Sequence, residues 1–194
     1  VVLDATRAGI ATCWIGPGAD HASLVRLLGE RFDPAVDHVV CVVAIGYASR
    51  FVPIGLRAFS YISHNMRLPP EQLFFADARF ERPLGADATG RAPLAHFVRC
   101  FDAVRRSPSS FNAQTSRMAV IVSDDARVER FDFASSTTSR YYAAVAVGIW
   151  AATWQAMCED LGARGRICAL SAAQRGVVDD GGGAAGSCRS RPPP

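Results

Sequence analysis

The segment from residue 107 to residue 117, SPSSFNAQTSR, holds the side chains best suited to chemistry in this sequence. It combines several hydroxyls with two carboxamides, and it directly precedes the apolar run MAVIV, which predicts a buried strand. Hydroxyls and carboxamides donate and accept hydrogen bonds without carrying charge. They therefore suit a neutral, flat ligand rich in nitrogen and oxygen better than a metal ion or a phosphate. The alternative is a structural turn with a helix cap, since Ser, Asn and Pro are ordinary turn residues.

The composition limits the classes of protein to which the chain can belong. Its 194 residues suffice for one sizeable core or two small lobes, and its longest apolar runs are too short to cross a bilayer. The net charge of +3 is spread along the chain, without a basic stripe between aromatic residues, so neither nucleic acid nor a membrane is an expected partner. All 21 basic residues are arginine, which excludes a Schiff-base lysine and the lysine of a P-loop.

The six cysteines and four histidines show no metal-binding or disulfide pattern. No two cysteines have CxxC spacing, and most have apolar neighbours, where a free cysteine behaves as a small hydrophobe. We find no secretory signal, so we expect reduced cysteines and a cytoplasmic location. The histidines stand apart, and a surface or capping role is expected for each of them.

The elements around the polar loop can be predicted from hydrophobic periodicity. Helical spacing covers residues 94–105 before the loop, and strands are predicted at 118–122 and 128–133 after it. A long apolar helix is predicted at 141–161, ending before Gly162. The stretch 174–194, rich in Gly and poor in apolar residues, is predicted to be disordered.

The first third of the chain has a pattern of its own. A helix is predicted to end at Gly9, and a short polar helix to cover residues 22–31. The run DHVVCVVAIGY, residues 37–47, predicts a strand buried on both faces, and the proline-rich stretch 48–91 breaks the pattern. Because the sequence starts within a helix and lacks an initial Met, we expect its N-terminus to be truncated.

Four segments resemble motifs of the nitroreductase flavoproteins. SPSSFNAQ with Arg117 resembles the family's SPSxxNxQPWR loop, and GIATCWIG at residues 9–16 resembles GLGTCWIG. FDPAVDHVVCVVAIGY is similar to a family strand that ends in Gly-Tyr, and RLPPEQLF at residues 67–74 resembles RKPLEELFF. The C-terminal motifs come first. This order resembles that of single-chain nitroreductases, in which two half-related units imitate the usual homodimer.

The resemblance implies an α+β, nitroreductase-like fold with a central mixed β-sheet flanked by helices and two pseudo-repeated units. Residues 1–92 would be the C-terminal part of the first unit, residues 93–173 the second unit, and residues 174–194 the tail. FMN would lie between the two units. The flavin carries the hydride chemistry, so the resemblance implies no catalytic acid or base on the chain.

The resemblance also assigns cofactor-binding residues. The loop residues would bind the uracil-like edge of FMN, and the segment 14–16 would line its N5 and O4 edge. Arg67 would reach the phosphate, and the alternative for Arg67 is a surface salt bridge. The residues so assigned are Ser109, Ser110, Asn112, Gln114, Trp14, Ile15, Gly16 and Arg67.

The implied function is an FMN-dependent oxidoreductase. NAD(P)H would reduce FMN, and a small-molecule acceptor such as a nitroaromatic or a quinone would then take the hydride in a ping-pong cycle. Two departures weaken the match: Thr115-Ser116 replace the family's Pro-Trp, and the arginine-rich segment that usually holds the flavin phosphate lies before the motifs present here. The alternatives are a degenerate, non-catalytic flavin-binding module and an interaction protein.

Overall fold

The chain consists of two compact units, Val1–Ala58 and Phe59–Pro194. The computed structural model describes residues 1–15, 20–137, 139, 142–170 and 185–190. Its helices and strands belong to the α+β class, as the sequence predicts. The division falls within a helix, Ile54–Asn65, that is not among the predicted elements, whereas the order of motifs predicts a boundary at residue 92.

Before α3, the described residues of the first unit form a two-stranded antiparallel sheet and two α-helices. These are α1 (Val2–Arg7), β1 (Ala11–Ile15), α2 (His21–Leu28) and β2 (Val42–Gly46). Helix α1 ends as predicted at Gly9, whose φ of +71° favours glycine. The Ile10 N–H donates to the Ala5 carbonyl at 2.9 Å and the Gly9 N–H to the Thr6 carbonyl at 3.0 Å, which is the Schellman pattern.

Strand β2 is shorter and more exposed than the sequence predicts. The predicted strand covers residues 37–47 with both faces buried, but the observed strand covers Val42–Gly46 and leaves Ile45 54% exposed. A strand extends only as far as its hydrogen-bonded partner, and β1 has five residues. No described side chain between Val1 and Ala58 is fully buried.

The second unit begins within α3 (Ile54–Asn65) and contains a five-stranded mixed sheet. Its strands lie in the order β3-β4-β5-β7-β6, with β3 parallel to β4 and all other neighbours antiparallel. The strands are β3 (Phe74–Phe75), β4 (Ser116–Val122), β5 (Val128–Ser135), β6 (Gly165–Ala169) and β7 (Ala185–Ser190).

The last strand lies in a stretch for which the sequence predicts disorder. Residues Ala185–Ser190 form β7 between β5 and β6, whereas the rest of that stretch, 174–184 and 191–194, lies outside the described residues. Gly and Ser weaken the local strand signal. Pairing on both sides of the strand supplies what local propensity does not.

Two helices pack in the core of the second unit, α4 (Val98–Arg105) and α5 (Tyr142–Asp160). The buried residues of α5 recur at helical spacing: Ala143, Trp150, Ala151, Trp154 and Cys158. Helix α5 ends as predicted at Gly162, again with φ +71° and the Schellman pair of hydrogen bonds.

An aromatic cluster fills the core between these helices and the sheet. Trp154 is 1% exposed, and its ring centroid lies 4.4 Å from that of Phe131 and 5.1 Å from that of Phe101. Such pairs contribute beyond the area they bury. The cluster therefore fixes α4 and α5 against β5, and it fixes the strand that follows the polar loop through its pairing with β5.

Candidate functional site

The polar loop has an unusual backbone conformation. Phe111, Asn112 and Gln114 have φ values of +49°, +55° and +48°, in the left-handed region that residues other than Gly rarely adopt. Residues Ser110–Asn112 form a single 3-10 turn. Each such residue costs free energy and persists only when its surroundings hold it. The contacts that hold this loop therefore define the site.

Gln114 is the main contact between the loop and the segment 66–68. Its side chain is 9% exposed; Nε2 donates to the Met66 carbonyl at 3.0 Å and to the Asn112 carbonyl at 3.2 Å. Oε1 accepts the Leu68 N–H at 2.9 Å. Both amide hydrogens are used within the protein, so Gln114 acts as a clip that positions the loop.

The other predicted loop residues differ in what they leave available. The Ser109 hydroxyl accepts the Gln114 N–H at 2.9 Å, and Asn112 donates one amide hydrogen to the Met66 carbonyl at 2.8 Å. The Asn112 Oδ1 has no partner within the described residues, and neither has the exposed Ser110 hydroxyl. Ser110 and Asn112 are thus the groups on this loop with capacity for a ligand.

Thr115 and Ser116, which stand where the nitroreductase motif has Pro-Trp, form hydrogen bonds within the second unit. Ser116 is 4% exposed and donates to the Ala146 carbonyl of α5 at 3.1 Å. The Thr115 carbonyl accepts the Ser136 N–H at 2.8 Å, and Arg117 donates to the Gln114 carbonyl at 2.6 Å. Thr115 and Ser116 therefore anchor the start of β4, so they do not provide a wall for a ligand.

Arg67 lies in a group of three arginines beside the loop. Its guanidinium donates to the Ser107 carbonyl at 3.2 Å, while its buried Nε has no partner within the described residues. Arg105 donates to the Leu68 carbonyl at 3.0 Å. Burial lowers the pKa of Arg67, and the positive charges of Arg105 and Arg106 lower it further.

This arginine group has little local compensation for its charge. Asp102 pairs with Arg106 at 3.2 Å, but within the described residues neither Arg67 nor Arg105 forms a salt bridge. Three like charges held together in this way favour an anion such as a phosphate. The phosphate group of FMN fits this donor set.

The remaining predicted residues lie in the first unit or outside the described residues. Trp14 and Ile15 end β1, where Trp14 pairs with Val43 and is 38% exposed. Gly16 lies outside the described residues. Their assignment to the N5 and O4 edge stays a prediction.

Among the described residues of the second unit are two cavities that residues 107–114 do not line. One has a volume of about 540 Å³ and lies against α4, between Pro70 and Met157. The other, of about 530 Å³, lies at the end of α5, around Cys158 and Gly162. Arg105 of the arginine group is among the residues that line the first of these cavities.

Several classes of site are not found in the described part of the chain. Its His, Cys, Asp and Glu residues form no group of three or more that could hold a metal ion. Within the same residues, no helix is long and apolar enough to cross a membrane.

The sequence predicts binding roles for the loop and Arg67, but it does not reveal the partners that hold them in place. Nothing in the sequence indicates that the Met66 carbonyl and the Leu68 N–H serve Gln114, because those groups are common to every residue and lie 46 positions or more away. Arg105 before the loop was a visible signal, although only the structure shows its bond to Leu68. Comparison of the chain with protein-family models, curated proteins and solved structures gives no match in any of the three.

Proposed function

We propose that this chain is an FMN-dependent oxidoreductase of the nitroreductase type, with two pseudo-repeated units, that passes a hydride from NAD(P)H to a nitroaromatic or quinone-like acceptor. One observation carries the proposal. Arg67 and the loop 107–114, both assigned to cofactor binding by the resemblance, lie against each other. Four hydrogen bonds join residues 66–68 to the loop, and Arg105, just before the loop, donates a fifth to Leu68.

The chemical character of this surface supports the choice of FMN. A strained, uncharged loop presents the Ser110 hydroxyl and the Asn112 amide, which suit the carbonyl and ring-nitrogen edge of a flavin. Arg67 lies beside the loop together with Arg105 and Arg106, and their positive charge suits the phosphate. FMN carries a planar, neutral edge and an anionic phosphate, which match the uncharged loop and the arginine beside it.

The chain's own residues bind and orient the cofactor in this proposal. Arg67 holds the phosphate, Ser110 and Asn112 hold the uracil-like edge, and Gln114 keeps the loop in its left-handed conformation. When bound, FMN supplies hydride transfer between a nicotinamide and an electron-poor acceptor. No side chain of this surface is required to act as a catalytic acid or base.

The first experiment measures flavin binding and its dependence on the phosphate. FMN and riboflavin, which lacks the phosphate, are titrated into the purified chain, and quenching of flavin fluorescence is followed. We expect FMN to bind more tightly than riboflavin. Arg67→Met should lower FMN affinity by about 10- to 100-fold, since hydrogen bonds between charged groups contribute about 1.5–3 kcal/mol, and should remove the preference for FMN.

Arg79→Met is the matched control because Arg79 is exposed and lies outside this surface. It should leave both affinities unchanged. A chain that binds neither flavin contradicts the proposal. A chain that binds both equally, before and after Arg67→Met, retains the flavin but contradicts the role of Arg67.

A second candidate function is a non-catalytic binding or interaction protein. It is favoured by the exposure of large apolar side chains in the first unit, with Tyr47 90%, Ile54 87% and Phe51 78% exposed. NADH oxidation under air by the FMN-loaded chain separates the two functions. Turnover above that of free FMN supports the oxidoreductase, and its absence with bound FMN supports the binding module.

A further inference from the structure

The cavity of about 540 Å³ beside α4 is lined neither by Arg67 nor by the polar loop. Helix α4 supplies one wall, on which Val98 and Asp102 are one turn apart, as are Arg99 and Ala103. The volume is within the range of about 300–1,000 Å³ that small-molecule sites occupy. The cavity is therefore large enough for a small organic ligand.

Apolar side chains form most of the wall of this cavity. They are Pro70, Phe74, Val98, Phe101, Ala103 and Met157. Val98 is 44% exposed, whereas Phe74 and Phe101 are buried and belong to the core cluster. The wall thus presents apolar surface to solvent with packed core behind it. An apolar group that enters the cavity removes this surface from water, which is favourable.

Two arginines in the same wall have donors to spare. Among the residues that the structure describes, Arg99 forms no hydrogen bond or salt bridge. The half-buried Arg105 uses its Nε for the Leu68 carbonyl at 3.0 Å, and its two terminal nitrogens have no partner within the same residues. A guanidinium group matches a carboxylate in shape and charge. These two side chains can therefore bind an anion whose body lies in the cavity.

The charge of the wall favours an anion with one negative charge. Asp102 also lines the cavity, and its carboxylate accepts a hydrogen bond from Arg106 at 3.2 Å. The two guanidinium groups and one carboxylate of the wall leave one net positive charge. A carboxylate balances that charge, whereas a phosphate dianion would place excess negative charge beside Asp102.

We propose that this cavity binds a monocarboxylate with an apolar body, such as an arylcarboxylate. Its carboxylate pairs with Arg99 and Arg105, and its body packs against the apolar wall. The proposal does not rest on the proposed function, because Arg99 is not part of the arginine group beside the loop. Binding of a carboxylate here and binding of FMN at the loop can therefore succeed or fail separately.

The three methionines of the chain allow the bound position to be tested by NMR. Met157 lines the cavity, Met118 is buried in the core, and Met66 is 64% exposed beside the polar loop, where its carbonyl accepts a bond from Gln114. The chain is labelled with ¹³C at the methionine methyl groups and titrated with 2-naphthoate. We expect the Met157 signal to shift to saturation while the other two stay in place. The spectrum of Met157→Leu, which lacks one signal, assigns the Met157 signal.

A neutral probe of the same shape measures the contribution of the charge. Titration with 2-naphthamide, which replaces the carboxylate by a carboxamide, should shift the same signal but with an affinity about 10- to 100-fold lower. The reason is that hydrogen bonds to charged groups contribute about 1.5–3 kcal/mol. 2-Naphthyl phosphate should bind more weakly than 2-naphthoate because of its second charge.

Substitutions in the wall test the residues that hold the anion. In Arg99→Met and in Arg105→Met, the affinity for naphthoate should fall by about 10-fold, and that for naphthamide should stay as in the wild type. Arg99 is exposed, so its removal should leave the circular dichroism spectrum unchanged. Ala103→Leu narrows the cavity and should weaken both probes. Arg79→Met is the matched control, since Arg79 is exposed and outside the cavity, and it should change neither affinity.

Four results would overturn the proposal. The first is a naphthoate titration that leaves the Met157 signal in place or shifts the Met66 signal instead. The second is equal affinity of the wild type for naphthoate and naphthamide, and the third is unchanged naphthoate affinity in both arginine variants. The fourth is tighter binding of naphthyl phosphate than of naphthoate, which would make the cavity a phosphate site.

Discussion

Replacing Gln114 by alanine should loosen the polar loop and destabilise the second unit. The Gln114 side chain makes three hydrogen bonds. When it is removed, the half-buried N–H of Leu68 loses its acceptor. The Met66 carbonyl still accepts a hydrogen bond from Asn112, so losing its bond from Gln114 costs less free energy. With about 1 kcal/mol for each net hydrogen bond, we expect a loss of about 2 kcal/mol in the free energy of unfolding.

Urea unfolding followed by circular dichroism measures this change. With a slope of about 1–3 kcal/mol per molar urea, the midpoint should fall by about 1 M. Gln155→Ala is the matched control, because Gln155 is exposed on α5 and makes one hydrogen bond, to Glu159 one turn away. Such a pair contributes about 0.2–0.5 kcal/mol, so its midpoint should hardly move.

Limited trypsin digestion adds a local measurement. In Gln114→Ala, cleavage after Arg106, at the start of the loop, should be faster under native conditions, because local opening costs less free energy there. In Gln155→Ala the rate should match the wild type. The reasoning is refuted if Gln114→Ala shifts the midpoint no further than Gln155→Ala and leaves the cleavage rate unchanged.

Four further predictions follow from other parts of the structure. Arg130→Met should lower the free energy of unfolding, measured in urea at pH 7, by about 1–3 kcal/mol. The reason is that Asp132, which is 2% exposed and lies 3.0 Å from the guanidinium, loses its cation. The double variant with Asp132→Asn should regain most of the lost stability. Burial raises the pKa of Asp77, but bonds from three backbone N–H groups outweigh this and hold it below the ordinary 3.8. The stability that the Asp77 carboxylate contributes is therefore complete above about pH 5 and is lost as the pH falls through its lowered pKa in the folded state. The urea midpoints of Asp77→Asn and the wild type should differ at pH 7 and converge in acid. If the proposed function holds, Asn112→Ala should weaken FMN binding by about 1–3 kcal/mol in the fluorescence titration. Trp154→Ala should lower the free energy of unfolding in urea by about 3–5 kcal/mol. Trp154→Phe should lower it clearly less, because it also removes a buried indole N–H that has no partner among the described residues.

Elements with strong local patterns were predictable from the sequence. The apolar periodicity of residues 141–161 and the following Gly162 correctly predict α5 and its end. The strands predicted at 118–122 and 128–133 match β4 and β5 apart from two residues at one end of each. In these cases burial and local preference act in the same direction.

Elements that depend on distant partners were not predictable. The length of β2 is set by β1, and β7 exists through its pairing with β5 and β6 although Gly and Ser dominate its sequence. At the site, composition identifies the loop, but the direction of each amide follows from backbone groups more than 40 residues away. Gln114 therefore looks like a ligand-binding residue in the sequence and is a clip in the structure.

The position of β7 has a consequence for the order of events during synthesis. Strand β6 emerges from the ribosome before β7, yet it joins the sheet only through β7, since β7 lies between it and β5. Until residues 185–190 are available, β5 and β6 both expose unpaired edges that can pair with another nascent chain. Completion of this sheet thus waits for β7, and a chain that stops before residue 185 leaves β6 without its paired strand.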